Sequence, residues 1–425
     1  MYNEYMTKLG KKLAAVMMTA MILVTGTKPV KAEGYPAVNG TAETLASDFV
    51  YVLDFDNGQV LADKKGTEKM YPASMTKLMT VILAMEHWDD WNEYVKITQV
   101  MVDDLGDATV VGFWADDLPT VRDLIYSSMM LSAADSTNAI AVGVSGSIPA
   151  FVELMNTKAK EIGMKNTHFT NTSGMHDENH YSTCEDIAVL LKYCAENEDF
   201  RNAASQTSYH MTPCTVYPDG LDLDSSAWYY ANQYSIPGFR GGKAGYTGKA
   251  GHCLAAWCRF NGMNIGIVTA HADTDYYAAT HFEDTAVIAK KLYAEYERKD
   301  MDVSTGDFGT LRVHRLLTNE EIPIREEGIF PVDAPKEAEL TFKRVSFPEG
   351  VMPSSKERTI TGTIGAFEKD TLVYTMEVSV RVPAQTNKAV NILTAIGGLP
   401  TVLFALLGLI LGVLKLVNRP ADREE

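Results

Sequence analysis

Two hydrophobic periods alternate along the chain. Near the start, FVYVL (Phe49 to Leu53) and QVLA (Gln59 to Ala62) are short β-rich runs on either side of Phe55-Asp56-Asn57-Gly58. The Asn-Gly pair predicts a hairpin. From about Ala73 the period lengthens, and Met75, Leu78, Met79, Ile82 and Leu83 fall at helical spacing on one apolar stripe. Thr120 opens a further helix, with Asp123 as its capping partner and Val121, Leu124, Ile125 and Met129 as its core face. That helix stops near Ser132, and another starts at Asp135 or Ser136. Ser182 or Thr183 caps the amphipathic run TCEDIAVLLKYCAEN. The period then returns to two. CLAAWCRF (Cys253 to Phe260) and MNIGIVTA (Met263 to Ala270) flank Asn261-Gly262, a second hairpin, and a helix from His281 to Glu297 closes the region. Glu33 to Ala46 reads as a short polar segment. Strands near both ends with helices between predict an α+β domain, its antiparallel sheet assembled from the two chain ends and covered by helical layers.

The pattern shifts at DMDVSTGDF, Asp300 to Phe308. Strands are expected at Leu311 to Leu317, Glu339 to Phe347, Thr359 to Phe367 and Leu372 to Val382, with a tight turn at Glu368-Lys369-Asp370. This is a small all-β domain. Both termini carry longer apolar runs. Lys8, Lys11 and Lys12 precede the apolar stretch Leu13 to Val24, which is too short to span a bilayer, and Val30-Lys31-Ala32 offers small residues for cleavage. Ala389 to Leu414 has no charge and is long enough for one membrane helix; an interfacial helix, the alternative, needs a polar face that this run lacks. Lys415, Arg419 and Arg423 follow and keep the tail cytoplasmic. The expected organisation is a signal peptide at 1–32, the α+β domain at 41–299, the β-rich domain at 306–386, a transmembrane helix at 389–417 and a cytoplasmic tail at 418–425. The folded part then lies outside the membrane, tethered at its C-terminal end.

Composition adds limits. The chain has 425 residues and is 46% hydrophobic, enough for two or three folded units. Its net charge of −17 argues against nucleic acid as a partner. Cys184 and Cys194 are expected on one helix and Cys253 and Cys258 on one strand, so neither local pair reaches disulfide geometry. With Cys214 they read as core thiols. His168, His176 and His180 cluster without zinc-type spacing and read as loop and packing residues. No cofactor motif is present.

The chemistry centres on YPASMTKLMT, Tyr71 to Thr80. Ser74 and Lys77 share a helix face, one turn apart. A serine needs a base within hydrogen-bond reach, and a lysine serves once burial or a neighbouring cation lowers its pKa. The helix start adds free N–H groups for a developing oxyanion. Alone, the pair reads more readily as a capped helix with a solvated lysine. Two other stretches change the balance: Ser132-Ala133-Ala134-Asp135 at a break between helices, and Gly241-Gly242-Lys243-Ala244-Gly245-Tyr246-Thr247 before the second hairpin. The ordered set, S-x-x-K, S-x-x, K-x-G, is far more specific than any one member.

With these motifs the chain resembles the D-alanyl-D-alanine carboxypeptidases, the low-molecular-weight penicillin-binding proteins. The run Asn171 to Thr183 and GGKAGYTGKAGHCL are similar to two further segments of that family. The resemblance implies a penicillin-binding transpeptidase-like fold and a Ser74 acyl-enzyme formed from a peptidoglycan stem peptide ending in D-Ala-D-Ala. It implies Lys77 as the base, Ser132 and Lys243 as proton-transfer and orienting groups, Gly245, Tyr246 and Thr247 at the substrate, and the N–H groups of Ser74 and Tyr246 as the oxyanion hole. β-Lactams are the implied inhibitors, and no cofactor is needed. Three positions depart from the family pattern. Ala134 stands where asparagine is usual, with Asn138 one turn on as the nearest replacement. Ala244 lacks a hydroxyl for the substrate carboxylate. His281 stands where the family carries arginine. A β-lactamase-like hydrolase and a weakly active wall scaffold are the competing readings.

Overall fold

The computed structural model describes residues 35–384 apart from 274, 276, 305, 315–318, 353 and 355. The expected signal (1–32), membrane helix (389–417) and tail (418–425) lie outside the described residues. Among those described, no single helix is long and apolar enough to cross a membrane. The chain forms two compact units. Among the described residues, one takes in 35–300 and Pro331–Ala338, the other Met301–Phe330 and those from Glu339 on.

The first unit is built on a five-stranded sheet. Its strands are β1 (Phe49–Asp54), β2 (Val60–Lys64), then, after the helical region and a small outlying hairpin of β3 (Ser208–Met211) and β4 (Leu221–Asp224), β5 (Phe239–Thr247), β6 (Gly251–Phe260) and β7 (Met263–Ala270). The order is β2-β1-β7-β6-β5 with every neighbour antiparallel, so the two chain ends meet at β1 and β7. Asn261 and Gly262 both adopt positive φ, as the two-residue turn between β6 and β7 requires.

A helix, α1 (Pro36–Glu43), replaces the polar segment expected there. Tyr35, Val38 and Ala42 are buried, and their spacing is helical although the residues between are polar or small. The predicted helix from Ala73 divides into a 3₁₀ turn, Ala73–Thr76, and α2 (Lys77–His87), which is buried from Lys77 to Met85. After the single turn α3 (Gln99–Val102), α4 (Val121–Met130) starts at the expected cap: Thr120 Oγ1 accepts from Asp123 N, and Asp123 Oδ2 accepts from Thr120 N. Next come α5 (Ala134–Ser145) and the unanticipated α6 (Ile148–Ile162), which buries Phe151, Met155 and Ala159 along one stripe. Thr183 caps α7 (Cys184–Glu196), and α8 (Glu198–Ala204), α9 (Ser226–Gln233) and α10 (Thr280–Glu295) complete the layers. All five cysteines are free; four are buried, while Cys214 is only half-buried and so is not a full core thiol.

The closing helix stops two residues early. Tyr296–Asp302 is instead a strand, β8, paired with Ile329–Pro335. Pro331–Ala338 therefore groups with the first unit, not with the β-rich domain to which sequence assigned it. Arg298 explains part of this. Its guanidinium meets Asp54 at 2.5 Å, Asp56 at 2.7 Å and Asp333 at 2.9 Å, and the side chains of Asp54 and Asp333 are fully buried. Gln59 pairs with the Asp333 backbone through both its amide groups. The second unit holds two three-stranded sheets around Val303, Phe308, Leu311, Val313, Ile364 and Val378, and Lys369 takes positive φ in its expected tight turn.

Candidate active site

The turn that carries Ser74 is tight. Ala73 has φ +45°, an unusual conformation for a residue with a Cβ. Ser74 sits half-buried in the 3₁₀ turn, and Lys77 follows as the first residue of α2, only 2% exposed. Lys77 Nζ lies 3.0 Å from Ser74 Oγ and donates to the Ser173 carbonyl at 2.7 Å. Burial, and after it the charge of Lys243, holds the Lys77 pKa well below the usual lysine range. An ammonium loses its hydration when buried and gains no carboxylate here, so the neutral amine is favoured. The turn rests on His180, whose Nδ1 accepts from Thr170 N; its Nε2 therefore donates to Thr76 Oγ1 at 2.8 Å. Burial lowers the His180 pKa to about 4, which suits this packing role.

Strand β5 brings the third motif to the same place. A Cβ on Gly245 would lie 2.5 Å from Ser74 N, so only glycine lets this strand pass so close to the serine turn. Lys243 is 3% exposed and donates to the Ala244 carbonyl; burial brings its pKa down to about 7. Ser132 follows the end of α4 at φ +65°, and its buried Oγ has no hydrogen-bond partner among the described residues. Ser74, Lys77, Ser132, Lys243, Gly245, Tyr246 and Thr247 all line one cleft of about 900 Å³. The sequence-predicted constellation is thus brought together from three separate segments.

Three positions behave differently from the motif residues. Ala134 is buried at the start of α5, and Asn138 does not replace it in the cleft. Both line a neighbouring hollow of about 420 Å³, and Asn138 Oδ1 accepts from Thr172 Oγ1. His281 does line the cleft, 5% exposed, stacked on His252 with ring centroids 4.6 Å apart. Its Nδ1 is buried without a partner among the described residues, and burial, then His252, pulls its pKa down to about 3. A neutral imidazole cannot supply the charge of a guanidinium. Sequence reading missed the aromatic lining, namely Tyr230, His252 and His176, the last of which meets Tyr71 edge-on at 4.7 Å. These residues come from unrelated segments and follow no local spacing.

The family model described as D-alanyl-D-alanine carboxypeptidase, peptidase S11, matches residues 36–274. The chain is 33% identical to the D-alanyl-D-alanine carboxypeptidase DacF of Bacillus subtilis over 258 residues, which is 58% of this chain and 62%, under two thirds, of that relative. It is 29% identical to DacA of Haemophilus influenzae, over 65% of this chain and 72% of that one. Among solved structures, penicillin binding protein 5 from Haemophilus influenzae is similar at TM-score 0.60 and 20% identity, covering 84% of this chain and 99% of that one. A serine-to-alanine mutant of the Streptomyces K15 DD-transpeptidase aligns at TM-score 0.55 and 23% identity, over 59% of this chain and 99% of that one. At such identities the structures establish the fold, a penicillin-binding, β-lactamase-like α+β architecture. The family model spans more than half of the chain, and the chain belongs to the D-alanyl-D-alanine carboxypeptidase family.

Proposed function

We propose that this protein is a serine-type D-Ala-D-Ala carboxypeptidase that trims peptidoglycan stem peptides and is acylated by β-lactams. The observation that carries the reading is the buried, neutral-favouring Lys77 amine 3.0 Å from Ser74 Oγ. Lys77 takes the Ser74 proton as Oγ attacks the carbonyl between the two D-alanines. N–H groups of Ser74 and Tyr246 receive the developing oxyanion. The C–N bond then breaks, and the proton reaches the leaving D-Ala amine through Ser132 Oγ, which has no partner among the described residues and so is open for this relay. Lys243, Gly245, Tyr246 and Thr247 orient the peptide, and Lys243 supplies positive charge for its carboxylate. Water then attacks the Ser74 ester, returns the serine and releases the shortened peptide. No step needs a metal or cofactor.

The catalytic unit acts outside the cytoplasmic membrane in this reading. An export signal at 1–32 and a membrane helix at 389–417, with the tail at 418–425 inside, deliver and tether it, and the domain at 306–386 serves as a stalk. The support is the charge and hydropathy pattern of the two ends of the chain.

Mass spectrometry of the penicillin-treated protein tests the catalytic reading: the adduct is expected on Ser74, together with D-Ala release from a pentapeptide ending in D-Ala-D-Ala. An unmodified Ser74 and no released D-Ala would refute it. Ala134 and Ala244 favour a second reading, a weakly active wall scaffold. In that case Ser74→Ala and the unaltered chain give the same cell-wall phenotype. A β-lactamase-like enzyme would instead turn penicillin over without a lasting adduct.

A further inference from the structure

A base amine works only if its lone pair faces the proton it must take. What anchors its N–H groups therefore decides its aim. Lys77 Nζ has two partners, Ser74 Oγ at 3.0 Å and the Ser173 carbonyl at 2.7 Å. In the neutral amine one N–H goes to that carbonyl, and the lone pair is left for the Ser74 hydroxyl. Ala134 offers only a methyl group. The Ser173 carbonyl is thus the anchor.

That carbonyl belongs to the segment Asn171–Gly174, which is fixed on several sides. Asn171 Oδ1 accepts from Ser173 N at 3.2 Å and from Gly174 N at 2.7 Å, and its Nδ2 donates to Met175 O at 2.8 Å. From α2, Thr80 Oγ1 donates to Thr172 O at 2.6 Å. From α5, Asn138 Oδ1 accepts from Thr172 Oγ1 at 2.8 Å, and Thr137 Oγ1 lies 3.0 Å from the same hydroxyl. Thr80, Thr137 and Thr172 are all buried, where a hydrogen bond counts for more than it does in water. The segment abuts the serine turn directly: Gly174 has φ +87°, and a Cβ there would lie 1.8 Å from Ala73 O.

We propose that Asn138 and Thr172 are positioning residues for the base: their hydrogen bond ties α5 to the Ser173 carbonyl, and that carbonyl sets where the Lys77 amine points. The inference rests on the reading of Ser74 and Lys77 as nucleophile and base. It gives Asn138 a role although it stands outside the cleft. The side chain acts on the base through the loop beneath it and does not touch the substrate.

The test uses the full-length chain, with acylation by a fluorescent penicillin followed across pH and D-Ala release followed in parallel. Asn138→Ala and Thr172→Val are each expected to lose about tenfold in acylation rate and in kcat, as one buried hydrogen bond implies. KM should stay within about twofold, because the substrate contacts are untouched. The rising limb of the pH profile should move to higher pH, because a loosened amine gains water and holds its proton more strongly. Thr172→Ser keeps the hydroxyl and should remain within about twofold of the unaltered rate. Thermal unfolding checks that each variant folds, and half-buried Asn138 keeps the test open if Thr172→Val does not. Unaltered rate and pH profile in Asn138→Ala, a loss confined to KM, or an equal fall in Thr172→Ser would overturn the proposal. No adduct on Ser74 in the unaltered chain would overturn the catalytic reading itself, and that outcome is visible before any variant is compared.

Discussion

The first unit buries positive charge in two places, and treats it oppositely. In the cleft, Lys77 and Lys243 are almost fully buried with hydroxyl and carbonyl partners but no carboxylate among the described residues. Behind the β1–β2 turn, Arg298 is surrounded by Asp54, Asp56 and Asp333. Burial without a counter-ion pushes a lysine toward its neutral form and makes it a base. Burial with excess carboxylates keeps the cation charged and shifts the strain to an acid. The Asp333 carboxyl is pushed up to about 7 by burial and then by Asp54, against the pull of Arg298. One site holds its cations toward the neutral form; the other fastens Pro331–Ala338 to the sheet.

The contrast is broken most decisively by removing one cation from each site. Lys77→Met should lose acylation by ~10³-fold or more, like Ser74→Ala, while the thermal midpoint holds or rises, since a methionine needs no hydration. A β-lactam adduct assay and a melt read the two effects separately. Arg298→Met should do the reverse. Stranding Asp54 and Asp333 without a cation costs about 3–5 kcal/mol in denaturant unfolding, with acylation per folded molecule unchanged.

Titration sharpens the comparison further, because the two sites have opposite slopes. Between pH ~4 and 7 the folded state holds a proton on Asp333 that the unfolded chain has released, so this group's contribution to stability falls as pH rises. Between pH 7 and ~10.5 the unfolded chain protonates Lys243 while the folded state does not, so its contribution rises with pH. Asp333→Asn should flatten the lower window only, and Lys243→Met the upper one only, in unfolding curves taken across pH. Acylation should also rise with pH as Lys77 loses its proton, and fall again as Lys243, with its pKa at about 7, gives up the charge offered to the peptide carboxylate. The smallest change is expected from Ala244→Thr, which adds a hydroxyl at the cleft wall: kcat/KM on the D-Ala-D-Ala peptide should rise by up to about tenfold.

What the sequence could reveal was set by how local each signal is. The two Asn-Gly hairpins, the Thr120 and Thr183 caps and the α2 stripe each lie within a few residues, and each is found in place. The 3₁₀ turn at Ala73 was hidden because Met75 and Leu78 bury equally well in either helix type. β8 was hidden because Arg298, Lys299 and Asp300 interrupt any apolar alternation, and their partners lie far along the chain. The same holds at the site. Serine and lysine motifs are contiguous and legible, whereas the Thr172–Asn138 link and the His281–His252 stack join residues that only folding brings together.

The pairing of β1 with β7 has a consequence for how this protein comes into being. Phe49 lies opposite Ala270, and Gly245 must reach Ser74, so the sheet cannot close on a partly made chain. Ordering of the reactive serine has to wait until more than half of the polypeptide has emerged. Contacts of such long sequence separation close slowly, because the entropy of the intervening loop must be lost before they reward it. Synthesis alone therefore imposes a delay before the cleft is assembled, and any truncation upstream of β7 leaves Ser74 in a chain that has no cleft.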